Sequence, residues 1–562
     1  MYFGQITEIN AGNINKCFIN NVAKVNNENI YLGGITGLNK DNGTVALSNK
    51  FSDGANLLGI KVIGGLIGCN KTTVRINNDS YDDSAAMAIK RTGDTKAEAI
   101  GLFVGENQGN IIIEQNAANT ISSVKISGTE YAGIYAGKNI GTIKNANDAI
   151  PSEDTVSKLV LTISNATTVG LIAGYNSGNI TYICTDSEST INASSACNYA
   201  AGLVGVNAGN GNIENCRNYA SVCTGTTAAV SYEAGIAGEN NSLVKQCINY
   251  GTIGSASTVT AAGIVGNNNG TVEECENQGT IGAAGSQNAA GIVGNNNETV
   301  TNNGNFGSIG SANTQNASGI ACVTSKSMKL CVNHAAINGV NSSGIVTAVN
   351  GSDLTIENCQ NRGSITGSGC AAGIVAVCPD TLTNVSIEFC RNYGVSSGYG
   401  ISASGVMRIH NCLEAAGLFE HDSFNPIAPK NTDELIRNFY VYGETTEDAL
   451  NDGEGRVDVN TLDPIADNSK WPVRFYVKAE TDGSFSLYYY RFASYFRTGI
   501  SGLTKNPVII SSGDLSGVDE LDAAFAGIIL DSNGESNSEN PNHPNYDYYE
   551  NGNLIHQGFV GN

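Results

Sequence analysis

Residues 261–282 read AAGIVGNNNGTVEECENQGTIG, and residues 289–310 read AAGIVGNNNETVTNNGNFGSIG. Each line breaks into short apolar alternations separated by Asn, Gly and Ser, and alternation over so few residues signals strands, not helices. Three short strands joined by tight corners cannot bury an apolar face alone, so each copy must stack on the next. Outward from this pair, a Gly followed by an aliphatic residue, then by a second Gly or Ala and by Asn, recurs along the chain. The copies start at Gly34, Gly65, Gly101, Gly133, Gly170, Gly202, Gly235, Gly263, Gly291, Gly319, Gly344 and Gly373, and more weakly at Gly4 and Gly400. These fourteen copies lie 25 to 37 residues apart, the range of supersecondary repeats. The fold expected is all-β: a β-solenoid (parallel β-helix) of about fourteen coils over residues 1–412, a rod on the order of 65 Å long.

The residue roles follow from stacking. Ile264, Val272 and Ile281 are expected to point inward onto Ile292, Val300 and Ile309 of the next coil. Gly supplies positive φ at corners, and Asn tolerates the same geometry while its amide can bond the amide one coil away. Eight copies place an aliphatic residue three positions before Cys, as in Ile213 and Cys216, Val272 and Cys275, or Ile387 and Cys390. Residues three apart on a strict strand face opposite ways, so a bend or bulge must lie between them. Asn303 stands where Cys275 stands one copy earlier. A metal or redox role would not survive that exchange, which favours Cys as a small hydrophobe filling an inner corner. A stack of inter-coil disulfides is the alternative.

The composition narrows the function classes. Charged residues make up 15% of the 562 and apolar ones 41%, which is folded, turn-rich material. The 52 acidic against 30 basic residues leave a net charge of -22, which repels phosphate backbones and anionic headgroups. Nucleic acid is therefore not an expected partner. No apolar run reaches spanning length, so no membrane insertion is expected either, and MYFGQITEIN lacks the layout of a secretion signal. The 15 cysteines are odd in number and all lie before Leu413, and none is arranged with the 5 histidines as a zinc site.

The line Gly202-Leu203-Val204-Gly205-Val206-Asn207-Ala208-Gly209, followed by Ile213 to Cys216, resembles the GLUG-motif repeat, as do Gly263 to Thr271 and Gly170 to Ile180. The resemblance covers about residues 1 to 412. It implies a bacterial surface or secreted protein of adhesin-like character, or a repeat region outside the catalytic part of a peptidase. The copies at Gly319, Gly344 and Gly373 lose the second Gly, which puts their corner geometry in doubt.

Residues 413–562 hold seven of the nine prolines, the single Trp471 and no Cys, and are expected to form a smaller β-rich C-terminal domain with an acidic tail. Asp482-Gly483 between two β-rich runs predicts a hairpin, and residues 432–439, with Thr432 as N-cap, predict a short helix. The aromatics of this segment supply the candidate ligand or partner surface: Trp471, Tyr476, Tyr488, Tyr490 and Tyr495.

Parallel β-helices also host polysaccharide lyases and hydrolases, whose chemistry needs paired carboxylates or a carboxylate cluster with a base. The densest acidic group, Asp79, Asp82 and Asp83, reads as a solvated loop, with a weak Ca²⁺ site as the alternative. No catalytic residue, cofactor or metal ligand is assigned. The function expected is that of a non-catalytic extracellular or cell-surface stalk or fibre segment. Its partners would be a host protein, a surface glycan, or a second copy stacked end to end, since the chain opens in mid-pattern at Gly4. A polysaccharide-degrading enzyme is the alternative.

Overall fold

The computed structural model describes residues 2–414 apart from short gaps, the longest at 78–87, and beyond 414 the backbone of seven short strands. The chain divides into two compact units, Met1–Val323 and Thr324–Asn562, each built on parallel ladders. The fold is an all-β solenoid, and helix among the described residues is confined to one 3-10 turn at Glu153–Thr155.

One coil of the first unit runs Thr258–Ala262, Val265–Asn268, Thr271–Glu273 and Glu276–Asn277. The next runs Asn288–Ala290, Val293–Asn296, Thr299–Thr301 and Gly304–Asn305, every strand paired parallel and in register with its predecessor. The coil therefore has four strands where the pattern suggests three. The extra two-residue strand exists because Glu274 and Asn302 take left-handed φ values of 56° and 55° and turn the chain sharply. The same conformation recurs at Asn215, Gln246, Leu330, Asn358 and Phe389, each immediately before the cysteine of its coil. This is the bend required between the aliphatic residue and the cysteine, so both face the core.

The expected columns are in place. Val272 pairs with Val300 and Ile281 with Ile309, and Ile264 and Ile292 stack at the preceding corner, all six essentially without exposure. Among the described residues of the first unit, ten strands from Thr7–Asn10 to Val293–Asn296 form one continuous sheet. The turns number about ten, slightly fewer than the fourteen motif copies.

Two buried asparagine ladders run through the coils. In the first, the side-chain amide of each Asn donates to the Oδ1 of the next, from Asn10 through Asn39, Asn70, Asn107, Asn139, Asn176, Asn207, Asn240 and Asn268 to Asn296, at 2.7–3.0 Å. The second starts where the Thr185 hydroxyl donates to Asn218 Oδ1 at 2.9 Å and continues through Asn249 and Asn277 to Asn305. The second unit carries the same arrangement from Asn333 through Asn361 to Asn392. From Asn70 to Asn268 in the first ladder and from Asn218 to Asn305 in the second, the amide spends its other N–H on a carbonyl of its own turn, as Asn249 does on Gly251 O at 3.0 Å. Both donors of a buried group are thus satisfied, which is what makes the burial tolerable.

In the second unit the parallel ladder crosses residue 412: Arg391 pairs with Leu413, Leu413 with Tyr440, and Tyr440 with Phe475. The helix expected over 432–439 does not form. Ile436–Arg437 and Phe439–Tyr442 are strands, because the edge left by Ile409–His410 and Leu413–Glu414 offers a run of β-prone residues a ladder to join. The Asp-Gly hairpin does form, Val473–Ala479 pairing antiparallel with Phe485–Arg491.

Candidate functional site: a tyrosine and carboxylate seam

Two columns of outward side chains face each other along the first unit. One climbs the first sheet through Tyr131, Thr168, Tyr199, Tyr232 and Thr260. The other holds the residue just before each ladder asparagine: Glu106, Lys138, Tyr175, Val206, Glu239 and Asn267. The glycines of the second column's strands form the floor between them. A Cβ at Gly238 would stand 2.7 Å from Cβ of Tyr199, and one at Gly266 would stand 2.8 Å from that of Tyr232, so only glycine lets the tyrosines lie down there.

Contacts across the seam are regular. The Tyr31 hydroxyl donates to the Glu106 carboxylate at 3.3–3.4 Å, and Gln108 donates to the same group. The Tyr131 and Tyr175 rings lie 5.0 Å apart, and the Lys138 ammonium sits 5.7 Å from the Tyr175 ring centre. Tyr199 donates to Glu239 and stacks on Tyr232, centroids 5.5 Å apart, while Asn295 donates to the Tyr232 hydroxyl at 3.0 Å. Glu239 also accepts from Asn267 and Asn269. The rings of Tyr131, Tyr175, Tyr199 and Tyr232 remain half-buried, and Glu106 is 4% exposed.

The charges gather around Lys138. Its ammonium is 2.7 Å from Glu98, which Lys61 also approaches at 3.9 Å, and Glu106 is its neighbour one rung away. Burial works against the charge on Lys138, but the hydrogen bond to Glu98 and the charges of Glu98 and Glu106 outweigh it and hold the pKa above the usual lysine value. Burial, with the adjacent Glu106 second, raises the Tyr31 phenol. Burial, then Glu239, pushes Tyr199 up to about 12. All these phenols stay protonated and act as hydrogen-bond donors at neutral pH.

The structure leaves the sequence-derived candidates elsewhere. Tyr476 stands opposite Tyr488 in the hairpin register, and Tyr490 opposite Arg474. Trp471 and Tyr495 lie outside the described residues, as do Asp79, Asp82 and Asp83 with the Ca²⁺ alternative attached to them. Among the described residues no group of three His, Cys, Asp or Glu is placed to hold a metal, and no helix is long and apolar enough to cross a membrane. The pentapeptide Gly394–Gly398 matches the Gly-x-Ser-x-Gly pattern of a nucleophile elbow, yet Ser396 is 5% exposed, bridges Ile365 in a parallel ladder and accepts the Gly398 N–H at 3.1 Å. No strand-to-helix elbow is present there.

Sequence reasoning passes over the seam because its members are far apart in the chain. Aligning the copies on their ladder asparagine would have displayed the variable residue in front of it, Glu, Lys, Tyr or Val among invariant neighbours. No family model, curated protein or solved structure matches this chain.

Proposed function

We propose that this chain is a non-catalytic structural and adhesive segment of a GLUG-type bacterial surface protein, held outside the cell as a stalk or fibre. The observation that supports the reading is the pair of buried amide ladders. Within each unit they tie successive coils through buried hydrogen bonds, while the outward columns vary along the ladder, which suits a stiff carrier of a variable surface. The described cysteines are free thiols, and twelve of the thirteen are buried. A buried, protonated thiol is a poor nucleophile, so such a column is compatible with an oxidising exterior. The partners suited to this reading are a surface glycan or protein, or a second copy stacked on the end of the ladder.

One observation favours the enzymatic alternative: Glu98 bonds Lys138 and Glu106 neighbours it one rung away, and a polysaccharide lyase or hydrolase would use two carboxylates grouped with a base. Incubation with a panel of polysaccharides, read by new reducing ends and by unsaturated products, separates the two. Adhesion predicts binding without turnover. Turnover abolished by Glu106→Gln would overturn it.

A further inference from the structure

We infer that the seam between Tyr131 and Asn295 is a binding site for a linear, uncharged polysaccharide, lying along the solenoid with its sugars on the tyrosine rings. This rests on the adhesive reading and names its ligand class and place. Three features of the seam converge on that chemistry. First, the ring faces alternate with fixed hydrogen-bonding groups: Tyr131 meets Tyr175 beside Lys138, Tyr199 meets Glu239, and Tyr232 meets Asn295. A pyranose presents an apolar face of C–H groups and an equatorial rim of hydroxyls, and it needs a ring beneath and donors or acceptors at the edge.

Second, the seam is linear and periodic. Tyr131 and Tyr199 are two rungs apart, and Asn295 lies five rungs beyond Tyr131 at the level of the ladder, a run of about 24 Å. An extended glycan advances by roughly one rung spacing per sugar, so successive sugars meet successive coils. A globular partner would instead require a contiguous apolar centre. Among the described residues, the large hydrophobics that are clearly exposed do not include any ring of this seam.

Third, the charge excludes the anionic polymers. The chain carries a net charge of -22, and the seam's one lysine is already held by Glu98 and Glu106. A uronate or sulfated chain would meet carboxylates without a free cation, whereas neutral hydroxyls can accept from Asn295 and Asn267 and donate to Glu239.

Titration calorimetry on the full chain tests this with tetra- to octasaccharides of β-1,4-glucan and β-1,4-mannan, and with oligogalacturonate as the anionic arm. The expected result is affinity for neutral chains that rises with length, weaker or no binding of oligogalacturonate, and a loss of about tenfold or more in Tyr199→Ala/Tyr232→Ala. The control is Tyr219→Ala/Tyr250→Ala, which removes the other stacked pair, 4.4 Å apart and off the seam, and should leave affinity unchanged. Thermal melting of all forms shows whether each variant is folded, and Tyr199→Phe, which keeps the ring, should retain binding where the alanine variant fails to fold. Absence of binding to every neutral chain, preference for the anionic one, or equal loss in both double variants would overturn the assignment. Reducing ends measured in the same mixtures report on turnover, so the seam can fail while the non-catalytic reading stands, and the reverse.

Discussion

The side chain of Asn303 occupies the position of Cys275 one coil on and reaches the equivalent carbonyls. The Cys275 thiol donates toward Glu273 O at 3.3 Å and Val244 O at 3.7 Å. The Asn303 amide donates to the equivalent carbonyls, Thr301 O at 2.9 Å and Val272 O at 3.1 Å, and its Oδ1 accepts the backbone N–H of Cys275 at 2.9 Å. The column therefore selects for a compact donor as well as for volume, since Cys216, Cys247, Cys359 and Cys390 also point their sulfur at the carbonyl two residues back.

Asn303→Cys should accordingly be nearly neutral, within about 1 kcal/mol, while Asn303→Leu should cost about 2–4 kcal/mol by removing two buried hydrogen bonds to carbonyls and the acceptor of the Cys275 N–H. Urea unfolding midpoints of the two variants check this. Equal losses would show that the position senses volume alone.

In the first ladder Asn207 accepts from Asn176 and donates to Asn240 and to Gly211 O, each at 2.8 Å. Asn207→Ala should destabilise by about 2–3 kcal/mol, because it removes three buried hydrogen bonds, to Asn176, Asn240 and Gly211. Native-state hydrogen exchange should show faster opening of the flanking coils, with protection recovering several coils away as nearest-neighbour coupling predicts.

Leu330 holds a left-handed φ of 58° and is 44% exposed, so its side chain contributes little packing while its backbone is strained. Leu330→Asn or Leu330→Gly should raise stability by about 0.5–1 kcal/mol. A fall in melting temperature in both variants would contradict that account.

Burial pushes several thiols up, Cys69, Cys184 and Cys197 to about 12 and Cys378 to about 11. A raised folded-state pKa means the folded state favours the neutral thiol. The stability it contributes is complete below the ordinary value near 9.0 and is lost as pH rises toward 12. Denaturation midpoints should fall over that window. Among the described cysteines, at pH 8 a thiol reagent should label Cys370, which is partly exposed, well before the twelve buried thiols, which it should reach only on unfolding.

Lys138 is the shared counter-charge of Glu98 and Glu106. Lys138→Met should remove the positive charge that neighbours both carboxylates, leaving only the 3.9 Å approach of Lys61 to Glu98, and should destabilise the chain near neutral pH. The deficit is present while both carboxylates are ionised and shrinks as they are protonated at low pH. A deficit that is constant with pH would mean that only the packing of the lysine stem was lost.

Much of this molecule could be read from its repeats. Coil stacking, the inward columns of Ile264, Val272 and Ile281, the amide ladder and the need for a bend before Cys275 all follow from period and side-chain chemistry, because register between adjacent coils repeats a local rule. The same reasoning misplaced a helix at 432–439, where Thr432 offers a local cap but an open ladder edge outweighs it. It also assigned no site residue on the repeat surface. Which outward residues meet was decided only by the tertiary structure: Tyr232 reaches Asn295, 63 residues and two coils away, because the tyrosine leans along the axis over a glycine floor. Backbone register is a property of neighbouring copies, whereas a site made across two columns depends on how far each side chain leans, which no single copy encodes.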